Sequence, residues 1–250
     1  MTRPSMIFLG LILTFSCQQH SKTSKEYTVS PHDTSTQSNI IQSNLDEAIK
    51  LPKGFSLDST IIFDSARHAE IQIVVPTYKG ATSFNKQVSD YIKKRQKDYR
   101  LSLDTLIQNE PSMLQAVPSN FNVDPVSVFK DDKIVSYCFI ISSDHAGAAH
   151  PFTEYYSFNY DLKKNRPFAF SDYFKVRSKQ KTQSFISIIN RAIDRPNIGV
   201  DKLDGIDFNI EKDSVAFNFD DYEIASYAEG IIKAKVAKQI LKQFVTNNNR

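Results

Sequence analysis

The pattern that most constrains this chain is a series of short apolar runs alternating with polar residues and separated by charged, four-residue breaks. Ile71, Ile73 and Val75 follow Ile61-Ile62-Phe63, and Ile206, Phe208 and Ile210 face Val215, Phe217 and Phe219 across Glu211-Lys212-Asp213-Ser214. A period of two places one face of each run on a core, so these are strands. Lys130-Asp131-Asp132-Lys133 and Lys163-Lys164-Asn165-Arg166 are further breaks of hairpin length. The stretch Ile134 to Ile141 is apolar almost throughout, as expected of a strand buried on both faces. Joints this short favour antiparallel sheet over the helical crossovers of a parallel one.

Helices fall between the strands. Phe84, Val88, Tyr91, Ile92 and Tyr99 recur at helical spacing, and Lys93-Lys94-Arg95, Lys97 and Arg100 form the solvated face of the same helix. Pro111, Pro118 and Pro125 predict a loop after it. Tyr156 to Leu162 is a strand whose partner returns through Phe168 and Phe170, and Ser171 is a natural cap for a helical turn over 171–174. Phe185, Ile186, Ile189, Ala192 and Ile193 mark a second helix, ended by Pro196 and Gly199. A strand from Ile232 to Val236 and a helix from Gln239 to Phe244 close the chain. The expected fold is α+β, antiparallel sheets with helices packed on one face, in two small subdomains, 51–129 and 130–250.

The beginning of the chain speaks to location. Arg3, an apolar run from Met6 to Phe15, and Ser16 directly before Cys17 have the layout of an export signal over residues 1–16. That run is shorter than the roughly 20 residues of a membrane-spanning helix. Leu13-Thr14-Phe15-Ser16-Cys17 resembles a bacterial lipobox, which makes Cys17 the expected site of lipidation. Residues 17–50, rich in Ser, Thr, Gln and Asn, read as a disordered tether. The expected location is the cell envelope, lipid-anchored and outside the cytoplasm, facing the periplasm or at the outer membrane if the cell has one. Cys138 is the only other cysteine and sits in a strand-like apolar run, so stability must come from a hydrophobic core and not from an internal disulfide. A formal charge of +3, spread along the chain, offers no basic face for nucleic acid.

Two segments carry a family likeness. They are Asp144-His145-Ala146-Gly147-Ala148-Ala149-His150-Pro151, continued by Phe158 to Lys163 and Phe170 to Phe174, and the stretch from Val215 to Gly230. Together they resemble the extracytoplasmic domain pair of unknown function shared by the RsiV anti-sigma factor and the non-catalytic region of PdaC-type polysaccharide deacetylases. The region from about Ile61 to Phe129 resembles the companion domain that precedes it. Ala148 stands where the family has a second glycine, and Asp221 and Ser226 stand where prolines are usual. The resemblance implies a binding module, with lysozyme or peptidoglycan as suggested partners.

His145, His150 and Glu154 suit zinc by ligand type, but a strand and loop need not bring them together, so no metal or other cofactor is expected. Asp144 and His145 are neighbours on a strand and point to opposite faces, and no Gly-x-Ser-x-Gly turn supplies a nucleophile, so no catalytic residue is assigned. Asp220, Asp221 and Glu223 read as solvated turn caps. His150, Tyr222 and Tyr227 are the ligand-binding candidates, with packing of their loop on the sheet as the competing use of both tyrosines. The expectation is a non-catalytic envelope module that binds lysozyme or cell-wall glycan. The alternative is an envelope enzyme acting on cell-wall polysaccharide.

Overall fold

A computed structural model describes residues 51–112 and 117–246; the expected export signal over 1–16, Cys17 and the expected tether lie outside them. Strands β1 (Phe55–Asp64) and β2 (Ala69–Tyr78) pair antiparallel in unbroken register. Helix α1 (Thr82–Asn109) follows, and β3 (Ser119–Lys130) returns parallel to β2. β4 (Ile134–Asp144), β5 (Phe152–Asp161) and the short β6 (Arg166–Pro167) then meander antiparallel, giving a six-stranded sheet in the order β1-β2-β3-β4-β5-β6. After α2 (Phe170–Tyr173) and α3 (Lys179–Ile193), β7 (Asp207–Ile210), β8 (Ser214–Phe219) and β9 (Ile232–Ala237) build a second, antiparallel sheet, and α4 (Lys238–Leu241) follows it.

The fold is α+β with mainly antiparallel sheets, and hairpin-length joints do connect β3 to β4 and β7 to β8. The parallel β2–β3 pair is the exception: a crossover through α1 links strands whose sequences look no different from the rest. Pro125, expected in a loop, lies inside β3 at a register shift between Pro125 and Ser127, where a residue without an N–H costs the ladder least. The strand expected to return through Phe168 and Phe170 is confined to β6, and Phe170 instead opens α2. The cap of α2 is Ala169, not Ser171; the Asp172 carboxylate accepts the Ala169 N–H at 3.0 Å and closes the turn. Helix α1 continues past Tyr99 to Asn109 because Leu103 extends its buried stripe, whereas α4 stops at Leu241, before Phe244. The boundary expected at 129/130 falls in the β3–β4 hairpin, inside the six-stranded sheet.

Each sheet has its own helix. Phe84, Val88, Ile92, Tyr99 and Leu103 of α1 pack on Ile71, Phe121, Tyr137, Phe139 and Tyr160. Phe185, Ile188 and Ile189 of α3 pack on Phe208, Phe217 and Val236 of the second sheet. β4 is buried on both faces, as its sequence implies, with α1 over one side and β7 over the other.

Apart from Ile134 and Phe129, which join the core of the second sheet, the contact between the sheets is a polar seam closed by a continuous chain of bonds. The Ile210 N–H donates to Ser136 Oγ at 2.8 Å, Ser136 Oγ donates to Asn159 Oδ1 at 2.7 Å, and Asn159 Nδ2 donates to Phe208 O at 2.8 Å. Beside it, Asn209 Nδ2 donates to Ser127 Oγ at 2.7 Å. Side chains of the first sheet thus satisfy the backbone edge of β7, which has no strand partner on that side among the described residues.

Candidate functional site

Among the described residues, β5 has a strand partner on its outer side only at Tyr160 and Asp161, where β6 pairs with it. Beyond β6, its outward N–H groups go to carboxylates. Ser157 N donates to Asp207 Oδ1 at 3.1 Å, Tyr155 N to Asp220 Oδ1 at 2.6 Å, and Thr153 N to Asp221 Oδ2 at 2.8 Å. The spacing of two selects the residues whose N–H points outward, so these acids do for the strand edge what a neighbouring strand would do. Asp221 N also donates to Thr153 O at 3.2 Å.

This clamp fixes the loop after β8. Asp220 N donates to Glu223 Oε2 at 2.9 Å and Glu223 N donates to Asp220 O at 3.1 Å, closing a tight turn over 220–223. Tyr222 sits in that turn in the left-handed region, at φ 66°, a conformation that costs an L-residue with a bulky side chain about 1–2 kcal/mol. A turn held at both ends imposes it, and the ring projects outward, 57% exposed.

The outward ring meets the loop before β5. Tyr222 Oη and His150 Nε2 are 2.9 Å apart, and the His150 ring stacks on Tyr227 with centroids 3.7 Å apart and planes 15° from parallel. His150 Nδ1 lies 3.0 Å from Pro151 O, which can only accept, so Nδ1 carries a proton; in the neutral ring Nε2 then accepts from the Tyr222 hydroxyl. Gly147 provides the left-handed turn, at φ 82°, that leads into His150. Ala148, the next residue, has no positive φ and so carries its Cβ without backbone strain. All three ligand-binding candidates therefore come together, with His150 and Tyr227 half-buried and Tyr222 exposed.

The other singled-out residues disperse. His145 Nε2 pairs with Ser102 Oγ of α1 at 2.8 Å, Glu154 pairs with Arg95 of α1, and His150 turns to the tyrosines. Ser102 Oγ also lies 2.7 Å from Tyr99 O, and burial lowers the His145 pKa. Asp220 is not the solvated cap its sequence suggests: burial raises its carboxyl to about 6, and Glu223, Glu154 and Asp207 push in the same direction against the Tyr155 N–H. Asp207, which no sequence motif marks, is half-buried, and desolvation raises its carboxyl too, in spite of bonds from Ser157 and Asn218. Burial pushes the Cys138 thiol up to about 12, so it is a packing residue.

Residues 72–239, most of both sheets, match the profile of a family described as protein of unknown function, DUF3298. The chain belongs to the DUF3298 family. A crystal structure of a DUF3298 member from Bacteroides fragilis shares the fold at a TM-score of 0.54 and 14% identity, covering 78% of this chain and 94% of that one. A DUF3298 protein from Pseudomonas aeruginosa is also similar, at a TM-score of 0.48 and 14% identity, covering 82% and 98%. No curated protein matches the sequence. In this DUF3298 chain both the carboxylate clamp and the aromatic stack lie within the matched residues.

Proposed function

We propose that this DUF3298 protein is a non-catalytic, membrane-tethered module of the cell envelope that binds cell-wall glycan on the surface formed by His150, Tyr222 and Tyr227. One observation carries the reading: rings from two loops 72 residues apart form a single stack that remains open on the Tyr222 side. Flat aromatic surface with nearby carboxylates suits a sugar ring, whose C–H face packs on the ring while its hydroxyls donate to oxygen acceptors. Asp221 and Glu223 flank Tyr222 in sequence and supply such acceptors. The left-handed backbone of Tyr222 is a local cost borne at an exposed position, which favours a role for the ring outside the fold. The export signal and Cys17 support the tether, and the RsiV- and PdaC-type resemblance supports binding over catalysis.

The test is co-sedimentation of the full chain with insoluble peptidoglycan, using wild type and Tyr222→Gly. Wild type should pellet and the variant should lose at least about fivefold in affinity, the scale of a single aromatic anchor. Equal pelleting of both refutes the site, and release of soluble sugar fragments refutes the non-catalytic reading in favour of an envelope enzyme. Mass spectrometry of the mature N-terminus tests the tether: Cys17 should be first and acylated, and an intact Met1 with a bare thiol refutes it. A second reading, capture of lysozyme, is favoured by the acidic residues Asp221 and Glu223 on either side of Tyr222, which complement a basic partner. Lysozyme capture without peptidoglycan binding would select it.

A further inference from the structure

Far from the aromatic stack, an apolar groove opens between α1 and the β1–β2 hairpin. Its floor is Ile62, Ile73 and Val75 from the strands with Ile92 from the helix, and it encloses about 540 Å³. That volume falls in the range of small-molecule sites, roughly 300–1,000 Å³.

The groove follows from the way α1 is mounted. Its large residues Phe84 and Tyr99 aim at Tyr137, Tyr160 and Phe121, toward the middle strands. Toward β1 it presents Thr82, Asn85 and Ser89, side chains too small or too polar to fill the space over Ile62, Ile73 and Val75. Asn85 holds this spacing: its Oδ1 accepts from Tyr78 N at 3.0 Å and its Nδ2 donates to Tyr78 O at 2.9 Å, pinning the start of the helix to the end of β2. The cleft is therefore built into the resting fold.

Charge is distributed unevenly along it. Thr82 to Gln96 spans about 21 Å of helix at 1.5 Å per residue, so the groove is elongated along α1. The α1 end near Thr82 meets Thr77 and Asp58, which are paired with Ser56 and Val75. The other end, beside Ile62, carries Lys93 and Gln96. Lys86 is paired with Asp90, but Lys93 has no carboxylate partner among the described residues. An apolar slot with an unpaired ammonium at one end and an acid at the other selects an elongated apolar molecule with one anionic head, oriented in a single direction.

We propose that this groove is a binding site for a long-chain fatty acid, with the acyl chain over Ile62, Ile73 and Val75 and the carboxylate at Lys93. The proposal is independent of glycan binding at His150, which lies at the far edge of the sheet.

The probe is palmitate, titrated into the full chain by equilibrium dialysis. One palmitate should bind per chain with a Kd on the order of micromolar. Val75→Trp and Ser89→Trp, which fill the slot from opposite walls, should each weaken binding at least about tenfold. Lys93→Glu, an exposed change that leaves the core intact, should weaken it by about fivefold at low salt and less at high salt. Hexadecanol, with the same chain and no charge, should bind at least about fivefold more weakly. Absence of uptake by wild type up to about 100 µM overturns the site. Uptake that survives both tryptophans places the ligand elsewhere and also overturns it, and equal binding of hexadecanol and palmitate overturns the role of Lys93. Circular dichroism of each variant checks that loss of binding is not loss of fold, and if both tryptophan variants unfold, Lys93→Glu and hexadecanol decide alone.

Discussion

Replacing Asn159 with alanine tests whether the polar seam holds the two sheets together. Asn159 is 6% exposed and Ser136 fully buried, and the amide both accepts from Ser136 Oγ and donates to Phe208 O. Asn159→Ala leaves two buried hydrogen-bonding functions unmet, the Phe208 carbonyl and the Ser136 O–H, whose oxygen still accepts from the Ile210 N–H. Each such orphan costs about 1–3 kcal/mol, so the expected loss is about 2–6 kcal/mol, a large part of the ~5–15 kcal/mol available to a folded domain. In urea unfolding the midpoint should fall with little change in slope, and Tm should drop by roughly 5–20 °C. Ser136→Ala should also destabilise, by orphaning the Ile210 N–H. Because both variants break one chain of bonds, the double variant should cost less than the sum of the two by about 1–2 kcal/mol. A loss below about 1 kcal/mol for Asn159→Ala, or strict additivity, refutes the seam as a stabilising network.

The remaining predictions concern the clamp, the stack and the buried thiol. Asp220 titrates near 6 in the folded chain and near 4 when unfolded, so the native state binds the extra proton between these values. The stability this brings is complete below about 4 and is lost as pH rises through about 6. Tm measured from pH 4 to 8 should decline across that window, and Asp220→Asn, which keeps the acceptor for Tyr155 N, should flatten the decline; an unchanged profile refutes the assignment. Tyr222→Gly relieves the left-handed backbone while removing the bond to His150, so its Tm should stay within about 3 °C of wild type, and a larger fall would show the ring to be structural. Cys138, buried and shifted to about 12, should resist thiol reagents at pH 8 in the folded chain and react on unfolding; rapid native labelling at this position refutes its inert role.

How much was legible depends on how local each cause is. Strand period, the hairpin breaks at 130–133 and 211–214, and the stripe of α1 are set by residues within a few positions of one another, and these appear where the sequence puts them. The double burial of β4 was also readable, because the run from Ile134 to Ile141 is apolar at all positions but Ser136 and so needs cover on both sides. His150, Tyr222 and Tyr227 could be singled out by residue type and family likeness, but their convergence could not, since it depends on Asp220 and Asp221 gripping the edge of β5. Asp207 escaped notice because nothing beside it in sequence distinguishes an exposed acid from one that caps a strand 50 residues away.

The amino-acid order alone determined the elements, the α+β class and the need for a core without internal disulfides, since hydrophobic period and turn chemistry act over short range. Three-dimensional packing decided that β2 and β3 run parallel, that a polar seam joins the sheets, and that the acids after β8 serve a strand edge. Those outcomes rest on hydrogen-bonding groups that must find partners once water is excluded, and the partners lie tens of residues away along the chain.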